Sequence, residues 1–214
     1  MFVSDWMTLT VHTVGPDDSC GNAVRMMRES RIHHAPVIAD GRIRGILSYN
    51  DLREHFPARA DVFEMNDLLE KTKVKAVMKK TVVTTTRDMP IEEAAMIMYD
   101  RRIGCLPVMQ DQQLVGIISD RDIFRALIDI TGVRKSGHRI SLVIEDRPRG
   151  AIKEIADIVR KHGFGIESIL TSHQKVESGA RNIVIRTKGN GQFGALKAEL
   201  MGSYREVKFK KASS

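Results

Sequence analysis

Gly45-Ile46-Leu47-Ser48-Tyr49-Asn50-Asp51 returns 71 residues later as Gly116-Ile117-Ile118-Ser119-Asp120-Arg121-Asp122. Each copy runs glycine, two aliphatics, serine, two variable residues, aspartate. The aliphatic pair predicts the end of a buried strand. Serine then leaves the strand, and aspartate falls where a helix begins. Two chemistries fit this pattern. Serine and aspartate at a helix start cap its orphan N–H groups. A hydroxyl and a carboxylate beside a helix N-terminus also suit a ribose phosphate. The N–H groups face the phosphate, and the carboxylate accepts from the ribose hydroxyls.

The doubling extends well beyond these seven residues. At the same offset Val3, Met7, Thr10, Val11 and Thr13 meet Val74, Met78, Thr81, Val82 and Thr84. Ala23, Met27, Arg31 and Ile32 meet Ala94, Met98, Arg102 and Ile103; Pro36, Val37 and Asp40 meet Pro107, Val108 and Asp111. With the glycine, isoleucine, serine and aspartate of the quoted stretch, that makes 16 identities in 49 positions without an insertion. A unit of roughly 50 residues buries too little surface to stand comfortably alone, so two units are expected to pack together.

Both units read alike. Val11 to Val14 is extended, Pro16-Asp17-Asp18 turns into a helix, and Ala23, Met26, Met27 and Ser30 keep helical spacing. In the second unit Asp88 is the expected cap ahead of Pro90, followed by Ile91, Ala94, Ile97 and Met98. The methionine-rich faces are core filler. A strand (35–38 or 106–109), a polar turn and a second strand (43–47 or 114–118) lead into the Ser/Asp stretch. Residues 57–73 join the units as a connector, with a 57–61 loop and a short helix over 66–71 capped by Asn66. His33-His34 is a poor metal site, because neighbours on a strand point to opposite faces.

Those landmarks resemble the paired CBS domains, the Bateman module: Arg31-Ile32 or Arg102-Ile103, then Pro36-Val37 or Pro107-Val108, then Gly-x-x-Ser-x-x-Asp, in tandem. The resemblance covers residues 1 to about 130 and implies two units about a pseudo-twofold axis. It also implies two clefts for an adenosine-containing ligand of the AMP, ATP or S-adenosylmethionine class. Carried over, cleft one takes Ser119, Arg121 and Asp122 with Val3, Met7, Ile32 and His33. Cleft two takes Ser48 and Asp51 with Val74, Met78, Ile103 and Gly104. Aspartate would hold ribose hydroxyls, serine phosphate or ribose, and the aliphatics the base. Arg121 has no charged counterpart at Asn50, so cleft one is expected to prefer the more phosphorylated ligand.

Beyond residue 137 the pattern changes. Strand (139–145), turn (146–150), helix (152–159, ended by Gly163), strand (166–172), hairpin turn (176–180), strand (181–187), helix (193–201) and strand (204–209) follow one another. This βαββαβ order is a ferredoxin-like plan, giving a mixed α/β (α+β) chain. Acidic-Arg-Pro and glycine before the first helix resemble an ACT domain. That resemblance implies an amino-acid site at Asp146, Arg149, Gly150 and Ala151, or a module that pairs chains into a homodimer. Arg149 separates Pro148 from Gly150 where the family runs Pro-Gly directly, which weakens the amino-acid role. The expected division is repeat 1 (1–56), linker (57–73), repeat 2 (74–131) and ACT domain (137–211). A CBS pair followed by an ACT domain resembles the acetoin-utilisation regulatory, or AcuB-type, proteins.

Net charge is +7, and residues 136–214 carry all of it, with 15 basic and 8 acidic side chains. That surface offers an alternative role as a nucleic-acid or protein-interaction module. No helix-turn-helix or RNA-binding aromatic motif accompanies it, so nucleic acid is disfavoured. No nucleophile–base pair, metal cluster or Gly-x-x-x-x-Gly-Lys loop supports an enzyme. Cys20 and Cys105 form no metal or disulfide pattern. No apolar run reaches the roughly 20 residues of a membrane span, and residues 1–5 lack signal-peptide character, so the cytoplasm is expected. The reading is a non-enzymatic regulatory sensor with no obligatory cofactor, a small-molecule nucleotide ligand and an unknown regulated protein.

Overall fold

The computed structural model describes residues 1–56, 62–146 and 150–211. The expected loop at 57–61 and most of the turn at 146–150, Arg149 included, lie outside them. The chain divides into two units, Met1–Phe124 and Arg125–Ser214.

In the first unit the repeat is visible element by element. Helix α1 (Cys20–Glu29) starts after Ser19, whose side chain accepts from Asn22 N–H, slightly later than the expected Asp17-Asp18 start. Strands β1 (His34–Ala39) and β2 (Arg42–Ser48) form an antiparallel hairpin, and α2 (Tyr49–His55) follows at once. The connector holds α3 (Val62–Lys71), and α4 (Val74–Val77) opens the second repeat. Then come α5 (Ile91–Arg101), the hairpin β3 (Cys105–Gln110) with β4 (Gln113–Ser119), and α6 (Asp120–Ile130), whose residues from Arg125 onward belong to the second unit. Both hairpins break register at the same place, Val37/Ile38 and Val108/Met109. Single parallel bridges, Val14 to Val37 and Thr85 to Val108, add a third short segment to each.

The connector departs from expectation. Its helix begins at Val62, so Asn66 is interior and not a cap. Met65, Leu68 and Leu69 lean on the core of repeat 1, with Met27, Leu47, Leu52 and Phe56. Glu70 accepts from Ser19 Oγ at 3.0 Å and pairs with Arg25. The connector therefore covers repeat 1. Asp88 is not a helix cap either: it accepts from Thr86 Oγ1 at 2.5 Å, and Pro90 holds the cap position.

What joins the repeats is an exchange of their opening residues. In the first lead-in segment, Val3 N–H donates to Met89 O and Ser4 N–H to Arg87 O, both 2.9 Å, and Thr8 bridges Ile117 on β4. In the second, Val74 N–H donates to Asp18 O and Lys75 N–H to Pro16 O, both 2.9 Å, and Lys79 bridges Ile46 on β2. Each lead-in segment thus lies on the other repeat. Gly116 and Gly45 permit the close approach. A Cβ on Gly116 would sit 2.8 Å from Met7 Sδ, and one on Gly45 2.6 Å from Met78 Sδ and 2.9 Å from Lys79 O.

The second unit contains β5 (His138–Glu145), α7 (Ala151–Lys161), β6 (Gly165–Ser172), β7 (Ala180–Lys188), α8 (Phe193–Ser203) and β8 (Arg205–Lys211). Its antiparallel sheet has the order β6-β7-β5-β8, which is the split βαβ plan. Alternate residues Ile140, Leu142 and Ile144 face a core with Ile155, Val159, Ile183, Ile185, Leu196 and Leu200. Among the described residues no helix is long and apolar enough to cross a membrane.

Candidate functional site

The seven-residue stretch folds the same way twice. Ser48, extended at φ −125° and ψ 162°, caps α2: its Oγ accepts from Asp51 N–H at 3.2 Å. Asp51 Oδ2 in return accepts from Ser48 N–H at 2.8 Å and Ser48 Oγ–H at 2.6 Å. In the second copy Asp122 Oδ2 accepts from Ser119 N–H at 3.0 Å and Oγ–H at 2.8 Å. Both aspartates are 6% exposed. Capping is therefore real at Ser48, and in both repeats the serine donates to one carboxylate oxygen, Oδ2.

The helix starts are less open to phosphate than the sequence implied. Tyr49 N–H donates to His33 O at 3.2 Å, and Asp120 N–H to Gly104 O at 3.0 Å. Asp51 N–H goes to Ser48 Oγ and Arg121 N–H to Asp120 Oδ1. Sequence reasoning placed a cation at Arg121, which is exposed, and missed Lys79. Lys79 Nζ lies 2.9 Å from Asp51 Oδ1, reaching back from the lead-in segment of repeat 2 to the carboxylate of repeat 1. Burial pushes the Asp51 carboxyl up, but Lys79 and the two Ser48 bonds outweigh it and hold the group below its ordinary 3.8. The carboxylate in turn raises the Lys79 ammonium. The repeat offset was the available signal: Lys79 follows Met78 as Thr8 follows Met7.

The lead-in and pre-proline residues separate. Met7 and Met78 do lie against the glycine of the opposite repeat's Ser/Asp strand. Val3 and Val74 are wholly buried, so they serve the core rather than an open wall. The pre-proline residues bond within their own repeats. His33 O holds Tyr49 N–H, and the His33 ring meets Tyr49 edge-on at 5.7 Å. Gly104 likewise holds the start of α6. The lead-in segments make the exchange. One further side chain crosses the seam: the His34 imidazole packs where a Cβ on Gly104 would fall, 2.8 Å from its Cε1. Burial lowers the His34 pKa from its ordinary 6.5, opposed by Asp120 and Asp51 and aided by His33 and Lys79.

No group of three His, Cys, Asp or Glu among the described residues is arranged for a metal. Both cysteines are buried and free, and burial, with Asp120 nearby, pushes the Cys105 thiol up to about 12.

In the second unit, Asp146 faces Arg181 Nε at 3.3 Å and His173 Nδ1 at 3.9 Å. Gly150 takes φ +93° at the start of α7, and Ala151 is buried. The neighbouring cleft, about 940 Å³, is bordered by Glu145, Glu154, Asp157, Glu177 and Glu206 against Lys175 and Arg205. Such a lining suits a free carboxylate poorly.

Two α/β repeats with exchanged lead-in segments and buried carboxylates at the seam define a tandem two-repeat module. The chain belongs to the CBS-domain family: the model of the CBS domain matches residues 3–58 and 74–129, more than half of the chain. The uncharacterised protein MJ0188 of Methanocaldococcus jannaschii is 31% identical over 134 residues, 62% of this chain and 46% of that protein, so the chain spans under half of that relative. AcuB from Vibrio cholerae has a similar structure (TM-score 0.53, 29% identity, 63% of this chain and 95% of that one). The CBS pair of protein MJ0100, solved in complex with 5′-methylthioadenosine and S-adenosyl-L-methionine, shares the fold (TM-score 0.51, 23% identity, 59% of this chain and 95% of that one).

Proposed function

We propose that this chain is a non-enzymatic regulatory sensor that binds an adenosine-containing ligand at the seam between its CBS repeats. The observation that carries this reading is the pair of buried aspartates, each anchored by its serine at a helix start beside the other repeat's lead-in segment. MJ0100, with the same fold, holds two adenosine compounds. Ser48, Asp51, Met78 and Lys79 would form one cleft with His33 at its edge; Ser119, Asp122, Met7 and Thr8 would form the other beside Gly104. Binding regulates only if the ligand prefers one arrangement of the repeats over another.

The second unit, over 137–211, acts in this reading as an ACT-type pairing module of a cytoplasmic homodimer. The acidic border beside α7 argues against an amino-acid carboxylate there. The basic excess gathers on the edge strand β8, with Arg205, Lys208, Lys210 and Lys211, where like charges keep an edge from pairing. The opposite edge, β6, has no Lys or Arg and is the edge left to extend the sheet.

The test is calorimetric titration with AMP, ATP, 5′-methylthioadenosine and S-adenosylmethionine, with melting followed in parallel. A ligand at 100 times its dissociation constant adds about 2.7 kcal/mol to stability. Asp51→Ala and Asp122→Ala should each remove one site. Flat titrations with every adenosine compound, on folded protein, refute the proposal.

A further inference from the structure

Among the charges that distinguish the two clefts, the one in contact with a buried aspartate is Lys79, not the arginine that the sequence suggested. Lys79 stands in the second lead-in segment where Thr8 stands in the first. Its ammonium contacts Asp51 Oδ1 at 2.9 Å, while Oδ2 is held by Ser48. A ribose hydroxyl directed at Asp51 therefore meets the oxygen that already holds Lys79. The side chain is 63% exposed on a flexible four-carbon stem, whereas Asp51 is fixed at the helix start. Lys79 is the partner that moves.

We infer that Lys79 is the specificity-determining residue of the Asp51 cleft, making it select nucleosides that carry an anion next to the ribose. This rests on the adenosine reading of the clefts. An uncharged nucleoside displaces Lys79 from Asp51 and offers the ammonium nothing in return. A nucleoside phosphate accepts the displaced ammonium in a charge-assisted hydrogen bond and releases Oδ1 to the hydroxyls. S-adenosylmethionine places a sulfonium near the ammonium and is disfavoured. At the corresponding place in the first lead-in segment stands the uncharged Thr8.

The experiment titrates the full chain with adenosine, AMP and S-adenosylmethionine, comparing wild type with Lys79→Met, Lys79→Arg and Thr8→Lys. Trp6 fluorescence melts check that each variant folds. Lys79→Met should lower the AMP-to-adenosine affinity ratio about tenfold, the order of one charge-assisted hydrogen bond, and improve S-adenosylmethionine binding. Lys79→Arg should keep the ratio, and Thr8→Lys should raise it at the other cleft. A ratio unchanged in Lys79→Met overturns the assignment and leaves the adenosine reading standing. A folded wild-type chain that binds none of the three overturns both.

Discussion

Asp51 uses its two oxygens differently. One is fixed by Ser48 in a capping box, and the other faces Lys79 across the seam. Its carboxyl is held below 3.8, so its contribution is complete above that pH and is lost as pH falls through the folded value. The His34 imidazole is depressed below 6.5 by burial. Its contribution is complete above 6.5 and wanes as acid charges the ring in the unfolded chain first. Acidification should therefore weaken the first unit in two stages, below 6.5 and again below 3.8. Trp6 is the only tryptophan and lies in that unit, so its fluorescence melts isolate the effect from His138. His34→Gln should abolish the first stage, and Asp51→Asn should shrink the second, which Asp51 shares with Asp17, Glu70 and Asp88, each held below its ordinary value by its partners; melts of either variant that keep the wild-type pH profile contradict this. At neutral pH Asp51→Ala should cost about 1–3 kcal/mol, because it strips Ser48 and the helix start of a buried acceptor.

At the scale of elements, the hairpins and the stretch that follows them were legible from the sequence. Identities at a constant offset fix which residues are equivalent, and strand period fixes which face is buried. The lead-in exchange was not legible. Val3 to Thr8 has one composition whether it lies on its own repeat or on the next, and only the contact with Met89 and Ile117 decides. The start of α3 was missed because Asn66 has the chemistry of a cap, while Val62 and Phe63 ahead of it are 74% and 87% exposed and give no burial period. Lys79 was missed because a side chain that crosses a seam leaves no local pattern. The exchange itself is testable at its crossing points. Gly45→Ala drives a methyl into Met78 Sδ and the Lys79 backbone. It should destabilise by about 1–3 kcal/mol, as overpacking does, in chemical denaturation followed by Trp6. Gly41→Ala meets nothing within 4 Å but sits at φ +69°, so its smaller cost is backbone strain alone. Equal costs for the two would refute the close-approach argument.

For the whole molecule, the exchange means that neither repeat is complete by itself. Residues 1–56 without residues 74–131 lose the lead-in segment that lies on β2, and the reverse holds for β4. Each fragment alone should give a disordered circular-dichroism spectrum. Mixing the two should restore a cooperative melt whose midpoint rises with concentration. A cooperative melt from either fragment alone would show that the repeats are self-sufficient.

The traded opening strands have a historical corollary. Two separate ancestral chains, each lending its first residues to the other, would form this same body, so the doubled gene reads as a homodimer tied end to end. Once tied, its halves no longer had to stay identical. A lysine can face one carboxylate while a threonine occupies the matching place, a division of labour unavailable to a pair encoded by a single copy.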